Sequence, residues 1–325
     1  MLDKPACILV VRQDRLGDAI NAVPVLMAIK RCRPEARVSF MVSPALAGLF
    51  AGQPYAVNIV PWEDELPRLS EVLRRGHYDS LLMLHPSKTL AWSALGAGIG
   101  QKTGLGFRPY YLLTGFRPKR IAGADQIHEA QINLKVASAA GLCDELLEEP
   151  RIHLEESDRE PAEAFCAKHR LSKPIIVFPA NRGSAPNWHA SRYRQLIKAL
   201  GLRGFQVVAV SAPGEEGALR EATEGTKCLT WPTSPNLRNL AGLLSISGVV
   251  VSSSTGGLHL AAAVGARTVG FFCPKPPFHP QRWGPLGEGH HRLVPAGDKC
   301  RGCTLSGRCS LDGLSVDEVC RKIEL

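Results

Sequence analysis

The chain has 325 residues, 45% of them hydrophobic, and carries a net charge of +9 at pH 7; a length of this order usually makes two domains. No apolar run approaches the roughly 18 residues that span a bilayer. The first residues lead straight into a strand, leaving no room for a secretory signal, so the ten cysteines read as reduced thiols and not as a disulfide framework. The charge is uneven: residues 1–124 have a balance of +7, residues 125–160 of −7 and residues 161–325 of +9. Two basic lobes around an acidic connector suit anionic ligands or an anionic membrane surface. Nucleic acid is not an expected partner, because no helix-turn-helix, zinc-finger or aromatic RNA-binding signature is present.

The first predicted strand covers 6–12 and ends at Arg12; Gly17 and Asp18 then open an amphipathic helix with Ile20, Val23, Met27 and Ile29 on its apolar side. Asp18 lies in the first turn, where the helix dipole favours a carboxylate, and simple capping is the bland alternative. Further strands are predicted at 37–42, 57–61 and 80–85. Gly96, Gly98 and Gly100 imitate a dinucleotide fingerprint, but the spacing fails at Gln101 and the run follows a predicted helix, not a strand. Arg108, Arg117, Lys119 and Arg120 cluster on a predicted loop beside Tyr110, Tyr111, Leu112, Leu113 and Phe116, a mixture suited to a headgroup surface. A helical pattern at 129–140 leads into the acidic connector.

A second series of strands is predicted at 174–178, 206–211, 227–229, 248–251 and 268–272, with a last helix at 315–322. Alternation of this kind argues for parallel sheets built from βαβ units. The strand at 248–251 runs into Ser252, Ser253, Ser254, Thr255, Gly256 and Gly257, and then into an apolar helix carrying His259. Backbone N–H groups at such a helix start have no partner within the helix, and the dipole adds positive potential, so the turn suits a phosphate or pyrophosphate. Glu215 follows the strand at 206–211, where an acid can bind a ribose hydroxyl pair; a solvated helix start is the alternative.

Several of these segments together resemble glycosyltransferase family 9, the ADP-heptose:lipopolysaccharide heptosyltransferases. The resemblance is carried by Arg12 with Gly17-Asp18, by His77-Tyr78-Asp79, by Gly183 to Trp188 with Arg192-Tyr193, by Ser254-Thr255-Gly256 with His259, and by the tail from Pro280 to Pro285 and its cysteines. It implies an α/β chain of GT-B type: two Rossmann-like domains, at 1–160 and 161–325, with parallel sheets facing across a cleft and the last helix crossing back to the first lobe. It also implies an inverting transfer of heptose from ADP-heptose to a lipid A–Kdo type acceptor, with no metal and no cofactor, at the inner face of the inner membrane. Asp18 becomes the base, with Asp14 the weaker candidate. Arg12, Arg15, Arg108 and Arg120 become acceptor contacts. Arg182, Trp188, Glu215, Ser254, Thr255, Gly256, Gly257 and His259 become donor contacts, with packing the alternative for Trp188. Some members of the family carry a lysine two residues before the tryptophan, placed to meet donor phosphate; this chain has Pro186 there. Arg182 is one replacement, and the helix start alone is the other. The alternatives are a related transferase for another nucleotide sugar or acceptor, and a sugar-nucleotide-binding protein without turnover. Cys300, Cys303 and Cys309 give only a weak zinc signal.

Overall fold

The computed structural model describes residues 6–56, 58–233, 236–295, 311 and 313–324, and divides into two compact units, Met1–Pro150 and Arg151–Leu325. The tail cysteines Cys300, Cys303 and Cys309 lie outside the described residues.

The first unit runs β1 (Cys7–Val11), α1 (Leu16–Ile20), α2 (Val23–Cys32), β2 (Arg37–Val42), α3 (Pro44–Phe50), β3 (Asn58–Pro61), α4 (Leu66–Gly76), β4 (Ser80–Met83), α5 (Lys88–Ser93), β5 (Gln101–Leu105), α6 (Tyr110–Thr114), β6 (Arg117–Lys119) and α7 (Glu129–Ala139). Its sheet is parallel throughout, in the order β3-β2-β1-β4-β5-β6. β1 and β4 are buried along their whole length, as continuous apolar strands covered on both faces must be. Val10 sits in register with Phe40 on one side and Leu82 on the other.

The single helix expected after β1 is two pieces. Pro24 stands four residues after Ile20; it has no N–H to donate and its ring would meet that carbonyl, so α1 ends and α2 restarts with the proline in its first turn. β5 and β6 carry no apolar run and were not foreseen. In β5 the Tyr111 ring lies over Gly104, where a Cβ would stand 2.6 Å from the hydroxyl, and β6 is an edge strand that tolerates Pro118. The acidic connector supplies internal counterions: Asp144 and Glu148 pair with Arg31 of α2, and Glu145 pairs with Lys135 of α7.

The second unit runs α8 (Glu156–His169), β7 (Ile175–Val177), α9 (Ala190–Leu202), β8 (Val207–Ala209), α10 (Glu216–Thr223), β9 (Leu229–Thr230), α11 (Leu237–Ser245), β10 (Val249–Ser253), α12 (Gly256–Ala263), β11 (Thr268–Phe271), α13 (Pro280–Trp283), β12 (His290–Leu293) and α14 (Val316–Glu324). Its sheet, β12-β11-β10-β7-β8-β9, is again parallel and repeats the strand order of the first. α8 belongs to this unit, so the division falls before residue 160. Arg238 of α11 grips Asp158 of α8 through two nitrogens at 2.7 and 2.6 Å, and a Cβ at Gly242 would stand 2.0 Å from the Asp158 carbonyl. α14, expected to reach the first lobe, packs Val319, Cys320 and Ile323 into the core of the second unit, against α9 and β11. Among the described residues no helix is long and apolar enough to cross a membrane.

Candidate active site

In an open parallel sheet, ligands bind beyond the carboxyl ends of the strands where the order reverses. In the first unit that point lies between β1 and β4. The chain leaving β1 supplies Arg12, Asp14 and Asp18, and the chain leaving β4 supplies His85; His85 Nδ1 stands 3.4 Å from Asp14 Oδ2. Arg12 is buried, 3% exposed. Its Nη2 donates to Asp18 Oδ1 at 2.6 Å, its Nε to Asp14 Oδ1 at 2.8 Å, and its Nη1 to Glu129 Oε1 at 2.8 Å and Asn133 Oδ1 at 3.0 Å. The expectation that Arg12 orients acceptor anions is therefore corrected. Its fork is filled by carboxylates from its own unit, and it holds Asp18 in place. Arg15, at the start of α1, is exposed.

Burial, opposed by Arg12 and reinforced by Asp14 and Glu129, raises the Asp18 carboxyl from the usual 3.8 to about 6. Burial alone would lower the Arg12 guanidinium, but Asp14, Glu129 and Asp18 outweigh it and push it up, so Arg12 stays charged. Were Asp18 to serve as a base, it would have to be deprotonated to work. Activity is therefore expected to fall as pH drops through about 6, and a kcat/KM profile between pH 4.5 and 8 checks this.

In the second unit the order reverses between β7 and β10. β10 continues to Ser253, two residues beyond the predicted end, and Thr255 caps α12 by accepting the Leu258 N–H at 3.3 Å. Ser252 Oγ braces the Thr255 hydroxyl at 3.0 Å. Gly256 and Gly257 open α12, so their N–H groups have no intrahelical acceptor. Ser254 and Thr255 are half-buried, and His259 is buried in the first turn. Gly257 is required by packing: a Cβ there would stand 2.9 Å from the Phe178 ring. Across the reversal point, Asn181 Nδ2 donates to Ser253 Oγ at 3.1 Å and to the Ala185 carbonyl at 2.7 Å, fixing the loop after β7. Arg182 adopts a left-handed backbone at φ 49°, and its guanidinium donates to the Pro213 carbonyl. Glu215 accepts the Arg182 N–H at 2.7 Å and the Ala212 N–H at 3.0 Å, so it joins the loops after β7 and β8.

Trp188 is not placed as a donor contact. It is 2% exposed, its ring lies 4.4 Å from Phe271, and its Nε1 donates to the Leu311 carbonyl at 3.2 Å. Trp188→Phe is expected to cost about 1–3 kcal/mol of stability with ADP affinity unchanged, as thermal unfolding and calorimetry together would register.

Arg108 and Arg120 are exposed, with the Arg120 guanidinium 5.4 Å from the centre of the Phe107 ring. Leu112 and Leu113 of α6 are 75% and 69% exposed, whereas Tyr111 and Phe116, expected beside them at the surface, are buried and stack on each other. The segment is a short helix and a strand, not a loop.

Sequence reasoning missed Glu129, Asn133 and Asn181 and gave His85 no role. Glu129 and Asn133 are four residues apart on a helix, hence on one face, which was the available signal. Nothing in the sequence told which strand end that face would meet.

The model of glycosyltransferase family 9 (heptosyltransferase) matches residues 66–304. A Haemophilus influenzae protein described generally as a glycosyltransferase is 24% identical over 343 residues, covering 98% of this chain and 96% of its own. Lipopolysaccharide heptosyltransferase 2 of Escherichia coli is 25% identical over 334 residues, covering 88% and 93%. The solved structure of E. coli ADP-heptose lps heptosyltransferase II superposes with a TM-score of 0.80 at 22% identity, covering 98% of this chain and 97% of that one; E. coli heptosyltransferase WaaC, solved with ADP, gives 0.75 at 18%, covering 98% and 99%. Two parallel sheets of one strand order match the GT-B architecture of these structures, and the chain belongs to glycosyltransferase family 9.

Proposed function

We propose that the protein is an inverting, metal-independent transferase that moves heptose from ADP-heptose to the inner core of a lipopolysaccharide precursor. The observation that carries this reading is Asp18. It is a carboxylate at the first unit's reversal point, gripped through one oxygen by Arg12 and ionising near pH 6, which is the range a general base needs. Relatives that act on lipopolysaccharide and a neighbour solved with ADP support the choice of acceptor and donor.

In the reaction the acceptor O–H bond breaks and its proton passes to Asp18. The freed oxygen bonds to the anomeric carbon from the face opposite the diphosphate, and the carbon–oxygen bond to the diphosphate breaks with its electron pair leaving on ADP. In this reading the Gly256 and Gly257 N–H groups that open α12, with the Ser254 and Thr255 hydroxyls, stabilise that charge. This supply of positive potential is why no metal is invoked. Addition of EDTA is expected to leave the rate unchanged, and a loss restored by magnesium would sink that part. Calorimetry with ADP and UDP, followed by turnover of ADP-heptose, tests the donor. Tighter binding of UDP would favour a second reading, a relative using another nucleotide sugar, for which Pro186 in place of the lysine is the supporting observation.

An acceptor rooted in a bilayer calls for peripheral membrane contact. Arg108, Arg117 and Arg120 around the exposed Leu112 and Leu113 combine headgroup attraction with shallow insertion. The protein is expected to sediment with anionic but not neutral vesicles at low salt. It should be released as salt rises, since exposed charges are screened over about 10 Å at 0.1 M. Equal binding to both vesicle types would count against this surface.

A further inference from the structure

One guanidinium facing three carboxylates holds more negative charge than keeping a base in place requires. An isolated Arg12–Asp18 pair would depress the carboxyl, since an arginine beside an aspartate lowers it by about 1–3 units, and a carboxylate so stabilised is a poor base at neutral pH. Here burial does most to raise the Asp18 carboxyl, and the cation is also shared: Arg12 Nη1 donates to Glu129 Oε1 at 2.8 Å and Nε to Asp14 Oδ1 at 2.8 Å. Glu129 comes from the first residue of α7, 117 positions away in sequence, and its side chain is 3% exposed. Asn133, one turn further along α7, already gives the same nitrogen a neutral acceptor at 3.0 Å. Nη1 carries two N–H groups, one for each acceptor, and a neutral oxygen would serve the second as Asn133 serves the first; it is the charge of Glu129, not its oxygen, that exceeds what hydrogen-bonding Arg12 demands, and burying a carboxylate is costly unless it is paired.

We propose that Glu129 is a positioning residue for the transfer: by engaging Arg12 from α7, together with Asp14, it lets the guanidinium hold Asp18 in place without neutralising it. The proposal rests on Asp18 being the base. The groups that bear on Asp18 are Arg12 and Asp14 from the chain after β1, Glu129 from α7 and, through Asp14, His85 from the chain after β4. Glu129→Gln keeps an oxygen for Arg12 and removes the charge. Asp18 then meets both less repulsion and a less-shared cation, so its affinity for a proton falls.

The test follows two readouts on the full chain: the carbon-13 titration of the Asp18 carboxyl, assigned by its loss in Asp18→Asn, and the acid limb of kcat/KM. In Glu129→Gln both are expected to move down by about half a unit to one unit, with the plateau rate lowered a few-fold as the base weakens. Asp14→Asn, at a more exposed carboxylate, is expected to move both the same way and carries the test should Glu129→Gln not fold. Midpoints unchanged in the folded variants would overturn the proposal and leave Glu129 a structural anchor. A carboxyl midpoint that moves while the limb stays would sustain the charge sharing and remove Asp18 as the base.

Discussion

Asp18→Asn is expected to lower kcat by roughly 10²–10⁴-fold while ADP affinity changes by less than about two-fold, because in the proposed reading the lost group acts on the proton in flight and not on the donor. The same substitution is expected to stabilise the protein at pH 8. The folded carboxyl sits at about 6 against 3.8 unperturbed, so the native state binds a proton more readily than the unfolded chain. Stability therefore falls as pH rises through that window and recovers as pH falls toward 4. The cost of keeping Asp18 charged is at most about 3 kcal/mol at pH 8. The asparagine retains an oxygen for Arg12 and does not carry that cost. Denaturant unfolding at pH 8 and pH 4 would show the advantage at the first pH and its disappearance at the second. An inactive variant that is also less stable at pH 8 would mean that Asp18 serves the fold.

Arg12→Met carries the largest expected loss of stability. It leaves Asp14, Asp18 and Glu129 without the cation that each of them touches. Removing one partner from a buried charged network costs about 3–5 kcal/mol. The Asp18 carboxyl, already raised by burial and now without its cation, takes up a proton more readily in the folded state than in the unfolded one, so part of the loss is regained on acidification from pH 7 to pH 5. Thermal unfolding across that range measures both effects. A pH-independent loss would point to packing and not to charge.

The sequence made the architecture plain where strands were continuous and apolar. Cys7 to Val11, Val38 to Val42 and Val249 to Val251 are buried on both faces and read as strands without context. β5, β6 and β12 escaped because their residues, such as Gln101-Lys102-Thr103 and His290-His291-Arg292, are polar and become strands only by pairing with neighbours already in place. At the candidate site, the helix starts that carry Asp18 and the Ser254–Gly257 turn were legible because local rules govern both. The surroundings of Arg12 were not, since two of the four groups that fill its fork, Glu129 and Asn133, come from α7, and that meeting is a property of the sheet order. Trp188 misled for the same reason: a motif fixes which residue is present, and the core decided that it faces Phe271.

Among the described residues, the groups that hold Asp18, the proposed base, come from residues 12–133, whereas the turn proposed to meet phosphate and the groups that brace it come from residues 178–258. On the proposed reading, descendants of this chain could exchange one sugar nucleotide for another by substituting residues in the loops after β7, β8 and β10, with the carboxylates around Arg12 inherited intact. Such separability lowers the number of simultaneous changes that a new specificity demands, and it marks where directed diversification of the donor would begin.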